Sequence, residues 1–126
     1  MSLEAEIFAA VKAFFAVPGG STHRVYPLTF PQSPTTPEVP ACRYVFISSE
    51  AIEDLCGTDG DATSNTRTQI DILDKTFVGA RALRLQVIGA MSALPTPTRL
   101  AGGFDDYDAE LKLFRCSVDF ISYPSS

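Results

Sequence analysis

The side chains that could do chemistry are few, and none has a partner at a useful spacing. The chain has one histidine, His23, between Gly20-Ser-Thr and Arg24. A catalytic imidazole needs a nucleophile to activate or other ligands to share a metal with. The flanking sequence supplies neither, so His23 reads as an exposed loop residue. Asp59-Gly-Asp61 begins like a calcium loop. The pattern then fails, because alternating ligands, a Gly and a distant Glu should follow, and Thr63 interrupts them. Asp105, Asp106 and Asp108 put three carboxylates beside Tyr107. A cation site or a turn would use such a cluster, and the turn-forming tendency of Asp favours a hairpin turn into the last strand. Cys42, Cys56 and Cys116 are sparse and odd in number, with no C-x-x-C spacing. That excludes a disulfide framework or zinc site and reads as reduced core cysteine. Phosphate-loop, dinucleotide-binding and nucleophile-elbow motifs are absent. The expectation is a non-enzymatic chain with no cofactor and no metal.

Size and charge narrow the class. The 126 residues fit one domain, 1–126, with 45% hydrophobic and 20% charged residues, so the chain is globular rather than disordered. A mean hydropathy of +0.10 is slightly apolar for a small monomer and hints at surface covered by a partner. The net charge of −5 excludes binding nucleic acid by phosphate neutralisation, which needs clustered Lys and Arg. Such a chain could still surround DNA without gripping it. Glu4 and Glu6 stand where a signal peptide would be basic, and no apolar run approaches the roughly 18 residues of a membrane span.

The elements that must position any site follow from periodicity. Leu3, Ile7, Val11 and Phe14 recur at helical spacing, which predicts a helix over 3–16, with Ser2 as cap and Pro18-Gly-Gly20 as stop. Residues 24–28 predict a short strand. Prolines 31, 34, 37 and 40, spaced by three, predict an extended arm. Aromatic and β-branched residues predict a strand over 41–49. Residues 50–64 read as an acidic loop, with one helical turn over 51–55. Residues 65–74 alternate as a strand, and 76–93 carry a helical stripe of Phe77, Ala80, Leu83, Val87 and Met91, flanked by Ile88. Residues 99–108 read as a loop or short strand. The final strand reads from Tyr107 to Tyr123, and from Lys112 onward Phe114, Cys116, Val118 and Phe120 alternate on its core side. Strands clustered around two helices predict an α+β domain, an antiparallel sheet of about four to five strands with both helices on one face.

The surface of interest is the other side of that sheet. The final strand presents Leu113, Arg115, Ser117, Asp119 and Ile121 there, and the strand over 65–74 presents Arg67, Gln69 and Asp71. Large apolar groups mixed with pairable charges resemble a protein–protein contact more than a solvent face. Arg67, Gln69, Asp71, Leu113, Arg115, Asp119 and Ile121 are therefore the candidate subunit-interface or lumen residues.

One set of landmarks runs in order along nearly the whole chain. They are Arg24-Val-Tyr-Pro-Leu28, Phe30-Pro-Gln32, Pro40 before an aromatic strand, Arg67-Thr-Gln-Ile-Asp71, Ala80-Arg-Ala-Leu83, and Tyr107-Asp with Leu113-Phe-Arg-Cys-Ser-Val-Asp-Phe-Ile121. In this the chain resembles the tail-completion, or tail terminator, proteins of long-tailed bacteriophages. The resemblance implies a small α+β subunit that forms a ring, commonly a hexamer, at the head-proximal end of the tail tube. Such a ring stops tube polymerisation and docks to the head connector, while DNA passes through its lumen. It implies a virion protein assembled in the host cytoplasm, with tail tube protein and head connector as partners and no catalysis. A tail tube subunit and a small α+β ligand-binding module remain as alternatives.

Overall fold

The computed structural model describes residues 3–20, 22–27, 38–47 and 66–123. The Ser2 cap, the arm over 28–37, the loop over 50–64 with its helical turn, Asp59, Asp61 and Cys56 lie outside the described residues. The elements run α1 (Leu3–Val11), a 3-10 turn (Lys12–Phe15), β1 (Val25–Pro27), β2 (Ala41–Ile47), β3 (Thr66–Asp74), α2 (Phe77–Ser92), β4 (Thr98–Asp108) and β5 (Leu113–Ser122). Among the described residues this is an α+β fold with two helices and one five-stranded sheet in the order β1-β2-β3-β5-β4. The three pairings from β2 through β4 are antiparallel, and β1 pairs parallel to β2. A three-residue strand returning through a long connection carries no sequence signal of its direction, so the parallel pair departs from the all-antiparallel expectation.

The helices cover one face of the sheet. Ile7 and Val11 from α1, Phe15 from the 3-10 turn, and Ala80, Val87 and Met91 from α2 pack on Cys42, Tyr44, Ile70, Ile72, Cys116, Val118 and Phe120. The register aligns Ile70 with Val118 and Ile72 with Cys116, so the period-two alternation of β3 and β5 feeds one core. Truncating a fully buried member such as Phe120 to Ala would cost about 3–5 kcal/mol. Leu83 and Ile88 are partly buried against this core. Phe77, the first residue of the expected stripe, is instead exposed.

Local chemistry fixes the ends of the elements. Thr76 is the N-cap of α2, its hydroxyl accepting from the Gly79 amide at 3.0 Å. Buried Glu6 ties α1 to the turn after α2, accepting from the Thr96 amide and hydroxyl at 3.0 Å each. His23 is half-buried rather than exposed, its ring edge-on to Phe8 at 6.1 Å. No helix among the described residues is long and apolar enough to cross a membrane.

The largest revision concerns residues 98–108. Of the expected loop or short strand the strand is what forms, eleven residues long, and Asp105 and Asp106 lie inside it, opposite Cys116 and Arg115. The hairpin turn falls one step later, over 109–112. Of the three carboxylates only Asp108 serves the turn. Its Oδ1 accepts from the Leu111 amide at 3.0 Å, its carbonyl accepts from the Lys112 amide at 2.7 Å, and Lys112 takes φ 58°.

Candidate functional site

Strand register assembles the face away from the helices row by row. One row reads Ala41, Leu73, Arg115, Asp106 across β2, β3, β5 and β4. The next reads Arg43, Asp71, Ser117, Phe104; then Val45, Gln69, Asp119, Gly102; then Ile47, Arg67, Ile121, Arg99. Directly opposed side chains on one face stand about 4.5–5.5 Å apart at Cβ, so each row is a line of neighbours. Arg67, Gln69, Asp71, Arg115, Asp119 and Ile121 therefore share one surface, and Leu113 continues it at the hairpin end, opposite Asp108.

Their environments differ. Asp71 is 1% exposed and is the hub of the face. Its carboxylate accepts from Arg43 Nε at 2.7 Å, from Gln69 Nε2 at 3.0 Å and from the Ser117 hydroxyl. Burial pushes this carboxyl up, but the hydrogen bonds from Ser117, Gln69 and Arg43 outweigh it and hold it below the usual Asp range. Asp71 is thus an internal tie between three strands. Leu113, at 3% exposed, is likewise packing. Arg115 bonds Asp106 at 2.8 Å across the β4–β5 pair, and both are partly exposed. Among the described residues Arg115 Nε is buried without a partner. Arg67 is exposed, Asp119 and Ile121 are half-exposed, and among the described residues neither Arg67 nor Asp119 has an ion-pair partner.

Sequence patterning alone does not reach Arg43 and Phe104. Arg43 lies in an apolar strand and becomes visible only once register sets it opposite Asp71. Phe104 belongs to a strand hidden by Gly102-Gly103 and its aspartates.

The margin of this surface is β4, an edge strand held on one side by β5. It is exposed along most of its length, including Leu100, Phe104 at 54% and Tyr107 at 51%. A register shift at Leu100/Gly102 marks a bulge, and Gly103 lies so close to the Ser117 carbonyl that a Cβ would overlap it. Arg84 of α2 clamps the strand by binding Asp105 at 2.6 Å. Tyr107 packs on Phe114 with ring centroids 4.8 Å apart, and the Phe77 ring lies 5.9 Å from that of Phe114.

The chemistry available to the described residues is that of contact. Burial, with the charge of Asp71, pushes the Cys42 thiol up to about 12; burial, with Asp105 beside it, pushes Cys116 up to about 11. Both thiols are protonated at neutral pH and are poor nucleophiles. No three His, Cys, Asp or Glu side chains among the described residues converge as metal ligands would. A shallow groove of about 430 Å³ lies between the helices, lined by Glu6, Ala9, Ala10, Ala90, Ala93, Leu94 and Pro95. Its acidic group, Glu6, is committed to Thr96.

No protein-family model and no curated protein sequence matches the chain.

Proposed function

We propose that this protein is a structural assembly subunit of a long-tailed bacteriophage, a tail terminator. In this reading it closes into a ring, commonly a hexamer, on the head-proximal end of the tail tube, stops tube growth and presents a surface to the head connector. DNA crosses the lumen as cargo, and the acidic balance of the chain, −5, favours passage over adhesion. The protein belongs to the virion and is assembled in the host cytoplasm.

The observation that carries the reading is the far sheet face, an ordered polar framework interleaved with apolar side chains and ending in the long exposed edge of β4. A closed ring needs different patches on the two flanks of one subunit. The sheet has unlike edges, a three-residue parallel strand at one and an eleven-residue antiparallel strand at the other. The sequence landmarks described above point the same way.

The same edge strand also suits a tail tube subunit, which polymerises without limit. Light scattering across a concentration series separates the two: a fixed ring mass supports the terminator, and filaments that lengthen with concentration support the tube protein. The inter-helix groove, among the described residues, lacks the converging polar groups that a ligand-binding module uses. Arg115→Glu tests the role of the face. The pair with Asp106 is partly exposed, so its loss costs the monomer at most about 1 kcal/mol, and the reversed charge opposite Asp106 adds a repulsion of about 1 kcal/mol. The variant is expected to stay folded and fail to form rings; normal rings from it would remove this face from the account.

A further inference from the structure

Strand β4 is held by means other than burial. None of its eleven residues is buried: nine are exposed, and Thr98 and Asp108 at its ends are half-buried. Its neighbour β5 buries six of ten. The register shift at Leu100/Gly102 and the Gly102-Gly103 pair loosen the ladder further. A segment with so little apolar contact sits at the low end of the local stability scale.

Two arginines act against that weakness, one on each face. Adjacent strand residues point to opposite faces, so Asp105 projects to the helix side and Asp106 to the far side. On the helix side Arg84 of α2 binds Asp105 at 2.6 Å, and on the far side Arg115 of β5 binds Asp106 at 2.8 Å. The ends of the strand are tied separately. Thr98 meets Ser122 hydroxyl to hydroxyl at 2.8 Å, Arg99 Nε donates to the Tyr123 hydroxyl at 2.8 Å, and Asp108 closes the turn. Between those ends the strand is held by its ladder to β5, the Tyr107 ring on Phe114 and the two ion pairs.

We propose that the middle of β4, residues 100–107, is a strap that opens as a unit while the rest of the sheet stays folded, with Arg84 and Arg115 as the latches that hold it shut. The latches are ionic and partly exposed, so the device responds to salt. It is tightest at low ionic strength and loosens as the screening length falls from about 30 Å at 0.01 M to about 3 Å at 1 M. Opening has a built-in reporter. Cys116 is fully buried, opposite Asp105 and hydrogen-bonded to it. Cys42 is as deeply buried on β2, with β3 and β5 between it and β4. Both thiols resist reagent over minutes. Over hours an opening strap uncovers Cys116, whereas Cys42 waits for unfolding of the whole domain. The inference stands whether or not the chain forms rings. Arg84 lies off the sheet face, so its replacement loosens the strap and leaves that face intact.

The test is hydrogen exchange of the full chain by NMR, read at the β4 amides bonded to β5 and at the β3 amides. Thiol labelling over hours, located by peptide mapping, compares Cys116 with Cys42. The wild type, Arg84→Gln, Arg115→Gln and the double variant are measured at about 0.01 M and about 1 M NaCl. In the wild type the β4 amides should exchange at least about tenfold faster than those of β3, and Cys116 should label ahead of Cys42. Each single variant, and high salt, should speed β4 exchange and Cys116 labelling about threefold, with β3 and Cys42 unmoved. The double variant should exceed either single one. Exchange of β4 and β3 at one common rate would overturn the proposal, as would β4 rates that neither arginine nor salt alters. Equal acceleration at both cysteines would overturn it too, because that is loss of global stability rather than release of a strap.

Discussion

Replacing Asp71 should cost more than any other single polar change on the sheet, and the reason can be worked through atom by atom. The carboxylate is 1% exposed and receives three side-chain donors, from Arg43, Gln69 and Ser117, on strands β2, β3 and β5. Asp71→Ala removes the acceptor and leaves those donors facing a small cavity. Breaking a buried charged pair costs about 3–5 kcal/mol. The Arg43 side chain keeps some access to water, which lowers the expectation to about 3 kcal/mol, or roughly 12 °C in Tm for a domain of this size. Asp71→Asn keeps one acceptor oxygen and should cost about 1–2 kcal/mol. The pH dependence has a definite sign. The folded-state pKa of Asp71 lies below its unfolded value, so its charge contributes fully above the unfolded pKa of about 3.9 and is lost as pH falls through the folded pKa. The stability gap between wild type and Asp71→Asn should therefore be constant near neutrality and narrow below about pH 4. Urea unfolding followed by circular dichroism measures both. An Asp71→Ala cost under about 1 kcal/mol, or a gap that does not change on acidification, would refute the hub assignment.

The remaining expectations concern the elements that frame this face. Gly103→Ala should destabilise by about 1–3 kcal/mol, because the new methyl overlaps the Ser117 carbonyl at the bulge, and a urea midpoint equal to that of the wild type would refute the clash. Cys42 and Cys116, both buried and with thiols pushed up to about 12 and about 11, should resist thiol reagents at pH about 8 until denaturant is added, which a timed colorimetric assay reads. Thr76→Ala should cost about 1 kcal/mol through loss of the Gly79 cap, measured by thermal melting.

Much of the frame was legible in the chain, and the failures have physical causes. The two helices and β2, β3 and β5 announce themselves because each buries a periodic apolar stripe. The shared face of Arg67, Gln69 and Asp71 follows from alternation, and register extends it to Arg115, Asp119 and Ile121. Strand β4 was legible only as a loop or short strand, and its length was not. It buries almost nothing, so no hydrophobic period marks it, and Gly102-Gly103 and its aspartates are residues strands disfavour. Pairing with β5 overrides that local preference. Burial on the far face was equally hidden, since Asp71 and Leu113 share their alternation with exposed neighbours and are enclosed through tertiary contact. The partners of the β4 aspartates were hidden for the same reason, since Arg84 and Arg115 reach Asp105 and Asp106 only once helix and strand are in place.

The central claim is that this chain terminates a tail tube. The most direct measurement is electron microscopy of tubes grown from the tail tube protein of the same phage, with and without the chain added during growth. The account predicts a single ring of this protein at one end of each tube and tubes that stop lengthening once capped. Incorporation along the tube wall, or tubes that grow on unchanged with no ring at either end, would contradict it.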